Sequence, residues 1–193
     1  MKSIVVFCGS SEGTNSQYAE KAYQLGETFA NKEIQLVYGG AKIGIMGKVA
    51  EGVLSNGGKA IGVIPQFLKK KEVVHESLTE LIVTQNMHER KLKMHDLSDG
   101  ILMLPGGFGT LEEFFEMLTW AQLGLHQYPI GILNINGFYD SLLKMMGDMV
   151  DEGFVKHEHI NTILVDDNIE KLLEKMQKYQ PLPTPKWINK EQL

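Results

Sequence analysis

The stretch ILMLPGGFGTLEE, residues 101–113, decides how this chain is read. Ile101–Leu104 is a short apolar run without alternation, the mark of a strand buried on both faces of a parallel sheet. Pro105, Gly106, Gly107 and Gly109 follow, and a helical pattern begins at Leu111. Glycines between a strand and a helix let backbone N–H groups converge at the helix N-terminus, which makes a site for a phosphate or carboxylate. The spacing is neither G-x-G-x-x-G nor a Walker loop, since no GK[ST] follows. Thr110 and Glu113 also fit the S/T-x-x-E capping box, which accounts for both without a ligand. Three glycines exceed what a cap requires and favour the ligand reading.

Working outward, the same unit recurs. Strand candidates are Ile4–Phe7, Ile34–Tyr38, Ile61–Ile64, Leu81–Val83, Ile101–Leu104, Ile130–Leu133 and Thr162–Val165. Between them the patterns are helical: from a Thr14 cap, with Gln17 as its partner, to about Asn31; then about 45–56; from an Asn86 cap, with Glu89 three residues on, to about Ser98; then about 111–123, 138–151 and 167–178. Strand and helix in alternation predict an α/β, Rossmann-like doubly wound fold: a mostly parallel sheet of about seven strands with helices on both faces. Residues 1–180 read as one nucleotide-binding catalytic domain, and 181–193, with Pro181, Pro183 and Pro185, as an extended tail.

Composition agrees. A chain of 193 residues with 43% hydrophobic content fills one core without a staple. One cysteine, Cys8, excludes a disulfide framework and a cysteine zinc site. There is no signal-peptide pattern and no apolar run long enough to span a membrane, so a cytoplasmic protein is expected. A net charge of -5 argues against a dedicated nucleic-acid binder. Twenty glycines are more than the ~7% usual for a chain, and they cluster after the apolar runs.

In doubly wound sheets, ligands bind outside the carboxyl ends of the strands at the switch point. That places chemistry in Cys8-Gly9-Ser10-Ser11, Gly39-Gly40-Ala41, Asn86–Lys91 and Pro105–Thr110. Ser10, Ser11 and the amides of Gly39 and Gly40 can hold a phosphate or sugar hydroxyl, with Gly9 beside them as a binding residue, and small residues there also serve plain packing. Arg90 falls on the inward arc of its helix, between Met94 and Leu97. A buried guanidinium needs an acid or a ligand, and Glu113 is the candidate partner. Leu111, Phe114, Phe115 and Leu118 form the core arc of the next helix. Glu113, Glu116, Met117 and Trp120 point away from it, toward a second copy in a homodimer or a covering loop. Cys8 reads as a small hydrophobe, the six histidines as surface or packing residues, and Lys69–Lys71 as a solvated run.

With MHERK at 87–91 and YGGAKIGIMG at 38–47, the chain resembles the Lonely Guy (LOG) family. Its hallmark P-G-G-x-G-T-x-x-E is matched at Pro105, Gly106, Gly107, Gly109, Thr110 and Glu113, and the resemblance runs from about residue 2 to 180. It implies hydrolysis of the N-glycosidic bond of cytokinin riboside 5′-monophosphates, giving free base and ribose 5-phosphate with no metal or organic cofactor. The partner implied is a small-molecule nucleotide, not nucleic acid or membrane. Arg90 and Glu113 map to the family's catalytic residues. Gly106, Gly107, Gly109 and Thr110, flanked by Pro105 and Phe108, would anchor the 5′-phosphate; Glu72, Lys91 and Thr119 would be secondary contacts. Ala41 departs from the family's usual third glycine in the second glycine-rich segment. Members also carry the label lysine decarboxylase, yet nothing here marks a lysine for a pyridoxal Schiff base. Competing readings are a general nucleoside 5′-monophosphate nucleosidase, a non-catalytic nucleotide sensor and a carrier of a phosphorylated cofactor.

Overall fold

Seven apolar runs become seven strands: β1 (Ser3–Phe7), β2 (Gln35–Tyr38), β3 (Ala60–Pro65), β4 (Glu80–Thr84), β5 (Gly100–Met103), β6 (Ile130–Leu133) and β7 (Ile163–Asp166). The computed structural model describes residues 1–69 and 74–183. The strands form one sheet in the order β4-β3-β2-β1-β5-β6-β7, every neighbouring pair parallel. The order reverses at β1, which pairs with β2 on one side and β5 on the other. That reversal opens a crevice above the carboxyl ends of these strands.

The helices are α1 (Ser16–Asn31), α2 (Gly44–Ser55), α3 (Gln66–Lys69), α4 (Met87–Asp96), α5 (Phe108–Leu123), α6 (Asp140–Asp151), α7 (His157–Ile160) and α8 (Ile169–Gln177), with a 3₁₀ turn at Ile135–Gly137. Strand side chains alternate between two cores. Ile4, Val6, Leu36 and Leu102 meet Leu25 and Phe29 of α1, Val49 and Val53 of α2, and Leu172 and Leu173 of α8. Val5, Phe7, Val37, Ile101 and Met103 meet Met94 of α4, Phe114 and Met117 of α5, and Met146 of α6.

Several expectations are corrected. The first helix is capped by Asn15, whose side chain accepts from the Gln17 N–H; Thr14 lies before it. The helix α5 starts at Phe108, so Thr110 sits inside its first turn and the Thr110–Glu113 capping box does not form. Gly107 is the cap residue, with no side-chain cap hydrogen bond. Met117, placed on the outward face, is fully buried in the second core, and Leu111, Phe115 and Leu118, placed in the core, are only half-buried. Of the expected tail, only Pro181, Leu182 and Pro183 are described, and they carry no helix or strand. Glu72 lies outside the described residues. Among the described residues no helix is long and apolar enough to cross a membrane.

Candidate active site

The turn after β5 meets the turn after β1 at the switch point. The Gly9 N–H donates to the Pro105 carbonyl at 3.0 Å. A side chain at Gly106 would run into the Thr110 hydroxyl, so only glycine lets the β5 turn close on α5. Behind the turn, the Tyr139 hydroxyl donates to the Leu104 carbonyl at 2.8 Å.

Two helix N-termini open into this crevice and differ in one respect. At α2, the Ile45 N–H donates to the Ser11 carbonyl and the Met46 N–H to the Gly9 carbonyl, so its first turn is partly satisfied by the β1 turn. At α5, no side chain caps the first turn, and Gly107, Phe108 and Gly109 are exposed. Orphan N–H groups at an uncapped helix start attract an anion, and the helix dipole adds to that attraction.

The helix α4 carries the cation. Asn86 caps it by accepting from the Glu89 N–H at 2.9 Å, which starts the helix at Met87 and turns Arg90 inward. Arg90 is 7% exposed. Its Nε donates to the Val63 carbonyl at 3.0 Å, and its guanidinium lies over Gly39, where any side chain would displace it. One guanidinium nitrogen stands 3.7 Å from Glu113 Oε1. Arg90 thus finds the acid that its burial demands.

The Glu113 carboxyl makes no hydrogen bond to the described residues; its contact with Arg90 is a loose ion pair. Burial pushes its carboxyl up to about 7; Arg90 and Lys91 pull it down, and Glu112 and Glu116 push it up. A carboxyl poised there exchanges a proton at neutral pH, as a general acid or base must. Burial holds the Cys8 thiol protonated, and the charge of Glu113 adds to this, so Cys8 is a packing residue and not a nucleophile.

A model of the family described as "Possible lysine decarboxylase" matches residues 46–176. Cytokinin riboside 5'-monophosphate phosphoribohydrolase LOG7 of Arabidopsis thaliana is 43% identical over 180 residues, covering 93% of this chain and 83% of that protein. This chain belongs to the LOG family. A second relative, Cytokinin riboside 5'-monophosphate phosphoribohydrolase LOG2 of the same plant, is 43% identical over 178 residues, 92% of this chain and 84% of that protein. The molybdenum cofactor binding protein of Rippkaea orientalis shares the fold, with a TM-score of 0.69 at 22% identity over 92% of this chain and 97% of that one. The Moco carrier protein of Chlamydomonas reinhardtii does so too, with a TM-score of 0.67 at 19% identity over 91% and 95%.

In this LOG-family chain the hallmark residues Pro105–Glu113, together with Gly9, Gly39 and Arg90, gather at the switch point. Ser10 is exposed at the rim, and Gly40 is occupied in part by the His75 N–H, which donates to its carbonyl at 3.1 Å. Thr119 stands apart: it is exposed, its hydroxyl donates to the Phe115 carbonyl at 2.7 Å, and it lies about 9 Å further along the helix than Glu113. Lys91 is buried with its ammonium between Glu112 and Glu116. Burial acts to lower its pKa, but the two carboxylates outweigh burial and raise it. A Schiff-base lysine needs the opposite shift.

The Val63 carbonyl and Glu112 were not singled out by the sequence. The first carries no side-chain signal; the second was visible as the acid next to Glu113. Trp120, expected on the outward face, stands edge-on to His95 of α4 at 5.4 Å. A cavity of about 620 Å³ lies elsewhere, lined in part by Leu118, His126, Lys156 and Tyr179, away from the strand carboxyl ends. Among the described residues no group of three His, Cys, Asp or Glu could hold a metal ion.

Proposed function

We propose that this protein is a nucleoside 5′-monophosphate phosphoribohydrolase that cleaves cytokinin riboside 5′-monophosphates to free base and ribose 5-phosphate. The observation that carries this is the buried Glu113 carboxyl, without a hydrogen bond, 3.7 Å from Arg90 and one turn beyond an uncapped helix start. The backbone amides around the start of α5, exposed from Gly107 to Gly109 with the buried Thr110 behind them, take the 5′-phosphate, with Gly9, Ser10, Gly39 and Gly40 closing the far side of the crevice. Phosphate held there places the ribose over Glu113. As the bond from C1′ to the base breaks, its electron pair leaves with the base and positive charge grows on the sugar. The Glu113 carboxylate stabilises that charge and takes a proton from the attacking water, whose oxygen bonds to C1′. Arg90 stabilises the negative charge on the departing base. It does not donate the proton, because a guanidinium does not deprotonate at working pH; the base takes its proton from solvent, and Glu113 returns to solvent the one it took from the attacking water. The curated relatives supply the cytokinin base; the site accounts for the phosphate and the bond. Cytoplasmic location and a homodimer belong to the same reading. The α5 face left for a second copy is Leu111, Phe115 and Leu118 beside the 93% exposed Phe108.

Product analysis tests the proposal. N6-isopentenyladenosine 5′-monophosphate, its nucleoside and AMP are each incubated with the protein, and free base and ribose 5-phosphate are separated by chromatography. Base is expected from the monophosphates, none from the nucleoside, and none with Glu113→Gln. Because Glu113 acts as its carboxylate, kcat/KM is expected to rise as pH passes through about 7. Binding without base release from any substrate would leave a sensor instead. Light scattering reads the assembly, with a dimer mass expected.

A further inference from the structure

Arg90 and Lys91 are adjacent cations on α4, and they face three carboxyls on the first three turns of α5. Arg90 meets Glu113. The Lys91 ammonium lies 2.6 Å from Glu112 Oε1 and 2.9 Å from Glu116 Oε2, with its side chain only 6% exposed. It donates a hydrogen bond to Glu112 and holds Glu116 as an ion pair, so both of its carboxylate contacts lie on α5. Glu112 and Glu116 are four apart on one helix, where like charges repel unless a cation stands between them.

We propose that Glu112 and Glu116 are positioning residues that act through Lys91, clasping α4 to α5 and so setting where the Arg90 guanidinium stands relative to the Glu113 carboxyl. This rests on the reading of Arg90 and Glu113 as the reacting pair. The clasp also balances charge. Two cations face three carboxylates when Glu113 is ionised, and the count is even when it holds a proton. The groups facing Glu113 are Arg90 and Lys91 from α4, Glu112 and Glu116 from its own helix, and the neutral Cys8 thiol from the end of β1. Removing a flanking acid favours the ionised form of Glu113; removing Lys91 disfavours it.

The full-length protein and its Glu112→Gln, Glu116→Gln, Lys91→Met and Lys91→Arg variants test this by two readouts. The first is the Glu113 carboxyl titration, followed by ¹³C NMR in glutamate-labelled protein and assigned by its loss in Glu113→Gln. The second is the pH profile of base release. The midpoint and the rising limb are expected to move toward acid in the two Gln variants, by roughly half a unit or more, and toward alkali in Lys91→Met. Lys91→Met is expected to lower kcat about tenfold or more with little change in KM, and Lys91→Arg to restore it. Coincident midpoints in all variants, or a rise in KM at constant kcat in Lys91→Met, overturn the proposal; the latter makes Lys91 a ligand contact. Glu112 is half-exposed, so its variant keeps the test open if the Lys91 variants fail to fold. The titration needs no turnover. Absence of base release would therefore sink the enzymatic reading while the clasp is still decided by NMR.

Discussion

Glu113 costs the fold what it gives the chemistry. Its carboxyl keeps its proton up to about 7 in the folded chain, against 4.5 for an ordinary glutamate. The folded state therefore binds more protons than the unfolded one between these values, and stability falls as pH rises through that window. Glu113→Gln is expected to abolish base release and to stabilise the protein by roughly 3 kcal/mol at pH 8, with no gain at pH 4. Chemical denaturation at the two pH values checks it. Arg90 was legible in the sequence because a cation on an apolar arc must find a partner. Thr110 was misread because S/T-x-x-E describes a cap only where the helix starts at that residue. Here the glycines let the helix begin earlier, at Phe108.

At the scale of elements, the glycine turn and the α5 start act as one unit. Gly106→Ala would force the turn away from Thr110 and shift the exposed amides. Steady-state kinetics on the monophosphate are expected to show KM raised about tenfold, with a melting transition still present. The far end of α5 is held differently. The His126 Nδ1 accepts from the Tyr128 N–H and its Nε2 faces the Met117 carbonyl at 2.8 Å. Burial lowers its pKa to about 4, opposed by the bond to Met117 and helped by nearby His95. The unfolded chain then binds the extra proton, so this contribution is present above about pH 6.5 and is lost as pH falls toward 4. His126→Phe is expected to flatten the decline in melting temperature across that range. The helix itself was legible, but its faces were not. The core arc was drawn through Leu111, Phe114, Phe115 and Leu118; the sheet takes Phe114 but pairs it with Met117, and the helix α4 takes Glu113 and Glu116. Periodicity shows that a helix has two apolar sides; it does not show which neighbour comes to which.

Across the whole molecule, burial is graded from the centre of the sheet outward. β5 and β6 are buried throughout and β1 nearly so, while β4 is largely open and β7 half-exposed at every residue. Amide hydrogen exchange is expected to be slowest in β1 and β5 and faster in β4 and β7. All seven strands were legible because each is a short continuous apolar run, including β4 and β7, which are only partly buried. Their order was not, since it depends on how each connection crosses the sheet. The connection that matters here is α4, which leaves the edge strand β4, packs on β3 and returns the chain to β5 beside β1. It carries Arg90 across the sheet to wait for a carboxyl that the chain has not yet reached. On the ribosome, a growing chain ending before β5 holds the guanidinium and two of the glycine turns, but neither the open helix start nor Glu113. On the proposed roles of Arg90 and Glu113, hydrolytic power is therefore expected only once α5 has followed β5 into place, and a nucleotide met by a chain that ends before α5 is expected to leave intact.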